Sequence, residues 1–330
     1  MLRLEEISKN EWWQAWEDGY QTTYFQSPAW FALWEKISRG SAAAWSVWNE
    51  HNTYLGIFPV FTKSSYGVQR CESSCAGTYG GLIQPKDHHT RLSESQIKEL
   101  AGYFPNLTWR LSPESTPETL PEFLQADYTH RLDLTKGMEA IESRWEKGKS
   151  GIARKNRKAK KSGITVFPAK YPEEWKEYHE LYLQNTRRWN PPPNVIYPFR
   201  LLDLIRSAEK QYARLWLAVS ADDNLIAGAL CLYSKSNVVY WHGASSEKHS
   251  DARPMNLLLS TIIRDSAKRG FSFFDFNPSG GVKGVEQFKA SFGAEKAASP
   301  IITNRTGLMQ AAARVKSTVN RMRGRITGNG

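Results

Sequence analysis

The sequence predicts an α/β protein of the α+β kind, in two domains, each a mixed and mostly antiparallel sheet flanked by helices. Three observations predict it. A chain of 330 residues is longer than one ordinary core organises, so two units are expected. Three β-rich runs stand in series at 213–221, 225–234 and 238–245, parted only by short polar turns, which is the pattern of an antiparallel meander. Helix-periodic segments lie between and beside the β runs in both halves instead of forming a block of their own.

Taken in order, residues 11–20 and 28–38 space apolar side chains helically, through Trp12 and Trp16, then Trp30, Leu33, Trp34 and Ile37. Residues 44–47 and 54–61 read as a strand pair around a polar turn at 50–52. The glycine-rich stretch "CAGTYGGLIQP" (75–85) follows, and a strand in "YTHRLDLT" (128–135) is expected to close the first domain. The boundaries so predicted are 1–140 and 141–304, with the last segment, about 305–330, returning to the first domain. In the second half a single basic helix over 144–162 is stopped at Ser162 and Gly163. A strand (164–169) and a helix (172–189) come next, then "NPPPNVIYP" (190–198), whose four prolines forbid helix or central strand. A helix at 199–210 precedes the meander. Another at 254–269 has Pro254 near its start and Gly270 just past its end. "FSFFDFN" (271–277) is a buried strand, "PSGGVKG" (278–284) a loop, and "VEQFKASFGAE" (285–295) a short helix.

Composition excludes several classes of function. With 40% apolar and 23% charged residues the chain is globular and not disordered. Its best apolar run, 216–233, is cut by Asp222, Asp223 and Asn224, so no spanning helix is expected. Glu5 and Glu6 stand where a secretory leader needs an apolar stretch, which predicts a cytoplasmic protein, peripheral to the inner membrane face at most. Three cysteines, Cys71, Cys75 and Cys231, argue for a reducing compartment and against a disulfide framework. Cys71 and Cys75 with His88 and His89 make a poor zinc site, because adjacent histidines do not readily share one tetrahedral ion; no metal is expected.

The net charge of +11 is concentrated. Residues 144–161 hold nine Lys or Arg against the lone acid Glu146, and residues 305–330 hold six with no acid. The rest of the chain is slightly acidic. Such focusing suits a polyanionic partner, whether nucleic acid, phosphorylated substrate or anionic lipid, although a solvated helix face is the plainer reading. In the basic helix Ile152, Asn156 and Ala159 form a dry seam, with Arg154 and Arg157 facing outward. In the tail Leu308, Ala311, Ala312, Val315, Val319, Met322 and Ile326 form a stripe, which either packs on the first domain or lies on a membrane.

The succession of a meander, a helix and a strand resembles the GNAT acyltransferase fold. "FQSPAWFALWEK" (25–36), "GIARKNRKAKKSGITV" (151–166), "NLIAGALCLY" (224–233), "DFN" (275–277) and "VEQFKASFGAE" (285–295) follow in an order that resembles FemAB-type transferases. These are tandem GNAT-like proteins that add amino acids to cell-wall peptide precursors, and a related branch acts in exopolysaccharide systems. The resemblance implies transfer of an aminoacyl or acyl group to an amine of a peptidoglycan or surface-polysaccharide precursor. It implies no resident cofactor, and aminoacyl-tRNA or acyl-CoA as co-substrate. A CoA site of this fold usually has a glycine-bearing loop before the helix that meets the pyrophosphate. Here "SSEKHSDARPMN" (245–256) has no glycine and carries Glu247 and Asp251, which favours aminoacyl-tRNA. Two rivals stay open: an acyl-CoA-dependent N-acyltransferase of exopolysaccharide synthesis, and a non-catalytic RNA-binding module.

For the chemistry, the resemblance implies that Lys289 of "FKxxFG" serves as a cation beside a phosphate or a developing negative charge, with Phe288 next to it. Asp275, ending a buried strand, is the candidate to accept or orient an amine proton. Tyr240 and His242 stand two apart on a strand, so one face is expected for both, with His242 a second base. For the acceptor, Lys36 resembles the family's substrate-phosphate lysine, and Tyr79 lies in "GTYGGL", whose backbone amides suit a phosphate or carboxylate. Arg187, Arg188 and Trp189 fall where GNAT folds receive acceptors. The plain alternatives are a solvated lysine, a loop-capping aspartate, a core histidine and a core tryptophan.

Overall fold

The computed structural model describes residues 1–65, 67–87, 91–148, 150–188, 196–208 and 211–305. The chain begins β1 (Arg3–Glu6), α1 (Lys9–Asp18), α2 (Pro28–Ile37), β2 (Ser41–Trp48), β3 (Tyr54–Ser65), β4 (Val68–Glu72), α3 (Glu94–Gly102), β5 (Thr108–Arg110) and β6 (Tyr128–Asp133). It continues α4 (Met138–Lys147), α5 (Ile152–Lys161), β7 (Thr165–Pro168), α6 (Pro172–Thr186), α7 (Phe199–Ala208), β8 (Ala213–Val219), β9 (Leu225–Tyr233) and β10 (Asn237–Ser245). Last come α8 (Pro254–Lys268), β11 (Phe273–Asp275), α9 (Lys283–Ser291), β12 (Glu295–Ala298) and β13 (Ile301–Thr303). The helix starts follow local chemistry. Ser8 and Glu11 form a reciprocal capping box on α1, and Ser27 caps α2 with Pro28 at its first position.

Two mixed sheets result. The first has the order β1-β2-β3-β4-β5-β13, the second β12-β6-β11-β10-β9-β8-β7. The meander β8-β9-β10 is antiparallel as its turns predict, and β10 then pairs in parallel with β11. The expected boundaries at 140 and 304 need correction. β6 does not close the first sheet; it pairs with β11 and β12 in the second. β13, the last strand of the expected second domain, pairs with β5 in the first. The halves therefore exchange strands at both crossings. The amphipathic tail lies outside the described residues from 306 onward, as do Trp189, His88 and His89.

The expected basic helix over 144–162 is two helices. Gly148 ends α4, its nitrogen bonding to the Arg144 carbonyl, and Gly151 begins α5 in the left-handed region at φ 63°. Two glycines three residues apart supply a break that charge periodicity alone does not reveal. The seam of α5 is as predicted: Ile152, Asn156 and Ala159 are buried, while Arg154 and Arg157 are exposed.

Three apolar clusters hold the layers. α3 covers the outer face of the first sheet, around Phe58, Ile97 and Trp109. The outer face of the second sheet packs on α4, α5 and α8 through Trp145, Ile152, Leu258 and Phe274. Between the sheets one continuous cluster joins α1 and α2 to α6, α7 and the meander, through Trp12, Trp16, Phe25, Trp30, Tyr178, Leu201 and Trp241. Its rings interlock across the halves: Trp16 meets Tyr212 at 5.1 Å and Trp30 meets Trp241 at 5.2 Å, both edge to face.

Because this central cluster belongs to both halves, they should unfold as one. Tryptophan fluorescence and far-UV circular dichroism are expected to give a single coincident denaturant transition, and Trp16→Ala to shift both together by about 3–5 kcal/mol. Two resolved transitions, with only one moved by the substitution, would contradict the shared core.

Candidate active site

Among the described residues the second sheet parts where the pairing of β10 with β11 stops. β10 and β11 stay in parallel register through Asn237↔Phe273, Val238↔Phe274 and Val239↔Asp275. There β11 ends, while β10 runs on to Ser245 with its other edge still bonded to β9. Past Asp275 the chain leans toward β6, the Phe276 nitrogen donating to the His130 carbonyl at 2.9 Å, and turns at Asn277 with φ 61°. The Asn277 side chain reaches back to the Trp241 carbonyl at 3.3 Å. The distal edge of β10 thus faces an opening whose far rim is Asn277 and Pro278.

Lys289 sits on that rim. In the last turn of α9, it is 4% exposed, and its Nζ donates to the carbonyls of Asn277 at 2.5 Å and Pro278 at 3.2 Å. Burial pulls its amine down to about 8, and the carboxylates of Asp275, Asp127 and Glu286 oppose the shift. Near neutral pH both its charged and neutral forms are populated. Phe288 beside it is half-buried and edge-on to Phe292 at 5.3 Å, so it anchors α9 to the core.

Asp275 is almost fully buried and its carboxylate is occupied. Oδ1 accepts from Tyr79 (2.9 Å), Thr129 (2.7 Å) and the Asn277 nitrogen (2.7 Å); Oδ2 accepts from Tyr79 (3.0 Å) and lies 3.6 Å from Arg131 Nε. Burial raises its pKa, against the Arg131 guanidinium and the donors. With these bonds the group ties the first half to the second and shapes the turn that carries Lys289's acceptors. Tyr79, expected beside a substrate, has no exposure and spends its hydroxyl here. Four of the "GTYGGL" amides are likewise spent: Gly77 donates to the Ser74 carbonyl, Thr78 to the Cys75 carbonyl, Gly80 to the Arg110 carbonyl and Gly81 to Ser73 Oγ. Gly80 is required for close packing, since a Cβ there would stand 1.9 Å from the Ser73 carbonyl oxygen.

Tyr240 and His242 do not share a face. A β-bulge falls between them, so that Tyr240 pairs with Cys231 and His242 with Leu230, adjacent residues on opposite sides of β9. Tyr240 turns to the outer cluster and its hydroxyl crowds Gly243. His242 enters an aromatic stack with Tyr178, Tyr182, Tyr197 and Trp241. Its Nδ1 lies 2.8 Å from the Tyr178 hydroxyl, and its sealed Nε2 has no partner among the described residues. Burial, with a smaller effect of His179, lowers its pKa to about 3, so the ring is neutral in the folded protein.

The remaining candidates are dispersed. Lys36 is exposed in the last turn of α2. Arg187 is exposed at the end of α6, while Arg188 is bound to Glu247 at 2.6 Å and the Ser245 carbonyl at 3.1 Å, bracing the end of β10. Arg157 pairs with Glu146 at 2.8 Å. The start of α8 gathers cations instead: Arg253 caps it in the left-handed region, and Lys155 is held down by burial and by the charges of Arg253 and Arg154. Sequence reasoning missed His130, Thr129 and Arg131. Their signal is three consecutive polar residues inside a strand that must be buried on both faces.

Among the described residues the first half shows no equivalent opening. β4 and β5 pair in parallel at Glu72↔Thr108, and beyond it the chain from Ser73 to Gly81 fills the seam, bonding to Thr108 and Arg110. One half is open and the other is zipped shut.

Comparison with known proteins agrees with this architecture. Residues 146–290 match the family described as Acetyltransferase (GNAT) domain. The chain is similar to FemX at TM-score 0.68 and 14% identity, over 94% of this chain and 99% of that one. It is also similar to the C-terminal domain of a putative lysylphosphatidylglycerol synthetase from Agrobacterium fabrum (TM-score 0.54, 14% identity, 94% and 97% covered). A tandem GNAT protein from the clavulanic acid biosynthesis pathway gives TM-score 0.51 at 11% identity, over 93% and 100%. No protein with curated annotation matches by sequence. The fold is thus that of tandem GNAT proteins, two mixed sheets flanked by helices. No described helix is long and apolar enough to cross a membrane.

Two measurements check these assignments. His242 takes up a proton near pH 3 in the folded protein but near 6.5 in the unfolded chain. The unfolded state therefore binds more protons between those values, and stability should fall as pH drops below 6.5, by up to about 1.4 kcal/mol per pH unit. His242→Gln should flatten that slope; an unchanged slope would place the titration elsewhere. Tyr79→Phe removes a donor from the Asp275 carboxylate and should lower unfolding free energy by about 1.5–3 kcal/mol in urea melts.

Proposed function

We propose that this protein is an N-acyltransferase that moves an aminoacyl group from aminoacyl-tRNA to an amine of a cell-wall or surface-polymer precursor. The observation that carries the reading is the opening between β10 and β11 with the buried amine of Lys289 bonded to its rim. Parted strands present unpaired backbone groups along an edge, and such an edge can hold an acyl chain as an added strand would be held. Attack of a neutral amine on the carbonyl then needs a group at the rim that manages charge and protons as the tetrahedral intermediate forms. Lys289, poised near 8, meets that requirement.

The choice of donor rests on the region before α8. The 3-10 turn Glu247–Ala252 uses its own amides, His249 donating to Ser246 and Arg253 to Ser250, so few are left to cradle a pyrophosphate. α5 meanwhile carries Arg154, Lys158, Lys160 and Lys161 exposed and no acid, a face suited to the phosphates of a long polyanion. Likeness in fold to FemX, and to a protein named for an aminoacylated lipid, supports the same reading. A second reading, an acyl-CoA donor, is favoured by the cations Arg154, Lys155 and Arg253 collected at the start of α8. The acceptor would be a precursor of cell-wall peptide or surface glycan, with Lys36 available for its phosphate, and the enzyme would work in the cytoplasm, with the tail a possible contact to the membrane face.

The test is incubation with a charged tRNA pool or, separately, with acyl-CoA, each with a precursor peptide, following mass gain on the acceptor. Transfer from tRNA is expected. Lys289→Met should reduce it at least about 100-fold with donor affinity retained. The double variant Arg154→Glu with Lys158→Glu should weaken tRNA binding and flatten its salt dependence. Micromolar acetyl-CoA binding with no tRNA-dependent transfer would favour the second reading, and no transfer from any donor would sink both.

A further inference from the structure

Asn277, on the far rim of the opening, has both backbone groups engaged and half of its side chain unspent. Its nitrogen donates to Asp275 Oδ1 at 2.7 Å and its carbonyl accepts from Lys289 Nζ at 2.5 Å, with the backbone in the left-handed region at φ 61°. The side chain crosses to β10, where Nδ2 donates to the Trp241 carbonyl at 3.3 Å. Only the nitrogen of a carboxamide can donate, so this bond sets its orientation and makes Oδ1 the other end. That Oδ1 is sealed from solvent with no partner among the described residues, and so is Ser279 Oγ, two residues further along the same turn. A sealed, unbonded polar atom is costly, and a ligand that supplies the missing bond relieves the cost.

The opposite side of the gap is firmly held. Trp241 is the residue that the pairing of β10 with β9 skips, and its ring packs on Trp30 at 5.2 Å and on Tyr197 at 4.8 Å. Its carbonyl therefore stands at a fixed point of the opening, and the Nδ2 in front of it shows that this point takes an N–H group. At 3.3 Å that bond is longer than N–H···O bonds ordinarily are, so a better-placed donor can displace it. A plain acyl ester or thioester has no N–H next to its carbonyl. An aminoacyl ester has, on the α-nitrogen, two bonds from the carbonyl carbon. Because Asn277 also carries a carbonyl that Lys289 bonds, a nitrogen held there keeps the reacting carbon close to Lys289. We propose that Asn277 selects an aminoacyl donor over a plain acyl donor: the α-amino group takes the place of Nδ2 on the Trp241 carbonyl, and the displaced carboxamide accepts a second N–H of that group at Oδ1. The inference rests on the transferase reading given above and adds to it the part of the donor that is recognised. With an aminoacyl donor bound, the Trp241 carbonyl and Oδ1 are both satisfied; with a plain acyl donor Oδ1 stays bare.

Two RNA minihelices test the selection without turnover. One ends in 3′-alanylamido-3′-deoxyadenosine and the other in the 3′-propionylamido counterpart; they differ only in the α-amino group, and their amide linkages resist transfer. By calorimetry the full chain should bind the first at least about tenfold more tightly. Asn277→Gly, which accepts the left-handed backbone without strain, should bring the ratio to about one. Asn277→Asp, which keeps an acceptor oxygen but loses the Nδ2 donor, should retain the preference. A side chain that merely bridged the gap would lose its effect equally in both variants, and that result would overturn the selection. So would equal binding of the two RNAs by the wild type, or a preference that survives in Asn277→Gly, and either would leave the tRNA-donor reading standing. A measurement on the unaltered protein covers the case of a variant that melts early. In asparagine-selective nitrogen-15 spectra the Nδ2 signals of Asn277, assigned by their absence in either variant, should move with the alanyl RNA and stay with the propionyl RNA; the same response to both would again overturn the selection. No binding of either RNA would instead sink the aminoacyl-tRNA donor, and the selection with it.

Discussion

A single buried carboxylate ties together three parts of the chain at the place where the two halves meet. Asp275 draws donors from a loop of the first half, from a strand that crosses into the second sheet, and from its own following turn. Removing such a charge from water is expensive, and only saturation by hydrogen bonds with a guanidinium alongside makes the position tolerable. The consequence reaches the candidate site directly, because the turn fixed by Asp275 presents the carbonyls of Asn277 and Pro278 to Lys289. An aspartate that reads from the sequence as a proton acceptor is, in the structure, the post to which the rim carrying Lys289 is fastened.

Around that post the two halves divide their labour. Both sheets contain a parallel pair at the place where this fold can open. In the first half Gly80 and Gly81 allow the chain to lie so close that backbone fills the gap. In the second half β11 ends at Asp275 and the chain turns at Asn277, while β10 runs on to Ser245. The first half packs beside the opening, its α1 and α2 aromatics buried against the meander that borders it.

Much of the fold was legible in the sequence because its signals are local. The meander turns, Pro28 and Pro254 at helix starts, and the dry seam of α5 each declare themselves within a few residues. The strand exchange did not, since β6 and β13 are too short to carry a preference for one sheet over the other. The site was legible in part. Lys289 and Asp275 stand out as polar residues in apolar surroundings. Whether Tyr240 and His242 face one way depends on a single bulged residue, which no alternation pattern reports. Tyr79 read as a ligand residue because glycines surround it, and those glycines serve packing. His130 was passed over because a histidine in a strand is ordinarily unremarked core.

The crossing of β6 and β13 has an implication for how this chain can be taken apart. Division at the midpoint would strip the second sheet of an interior member, β6, and leave the first without its β13 edge. Neither fragment would hold a complete set of strands, and each would expose raw margins prone to mispairing. Such a molecule is inherited, expressed and lost as a unit; exchange of one half for a foreign counterpart would have to carry both interlaced strands along with it.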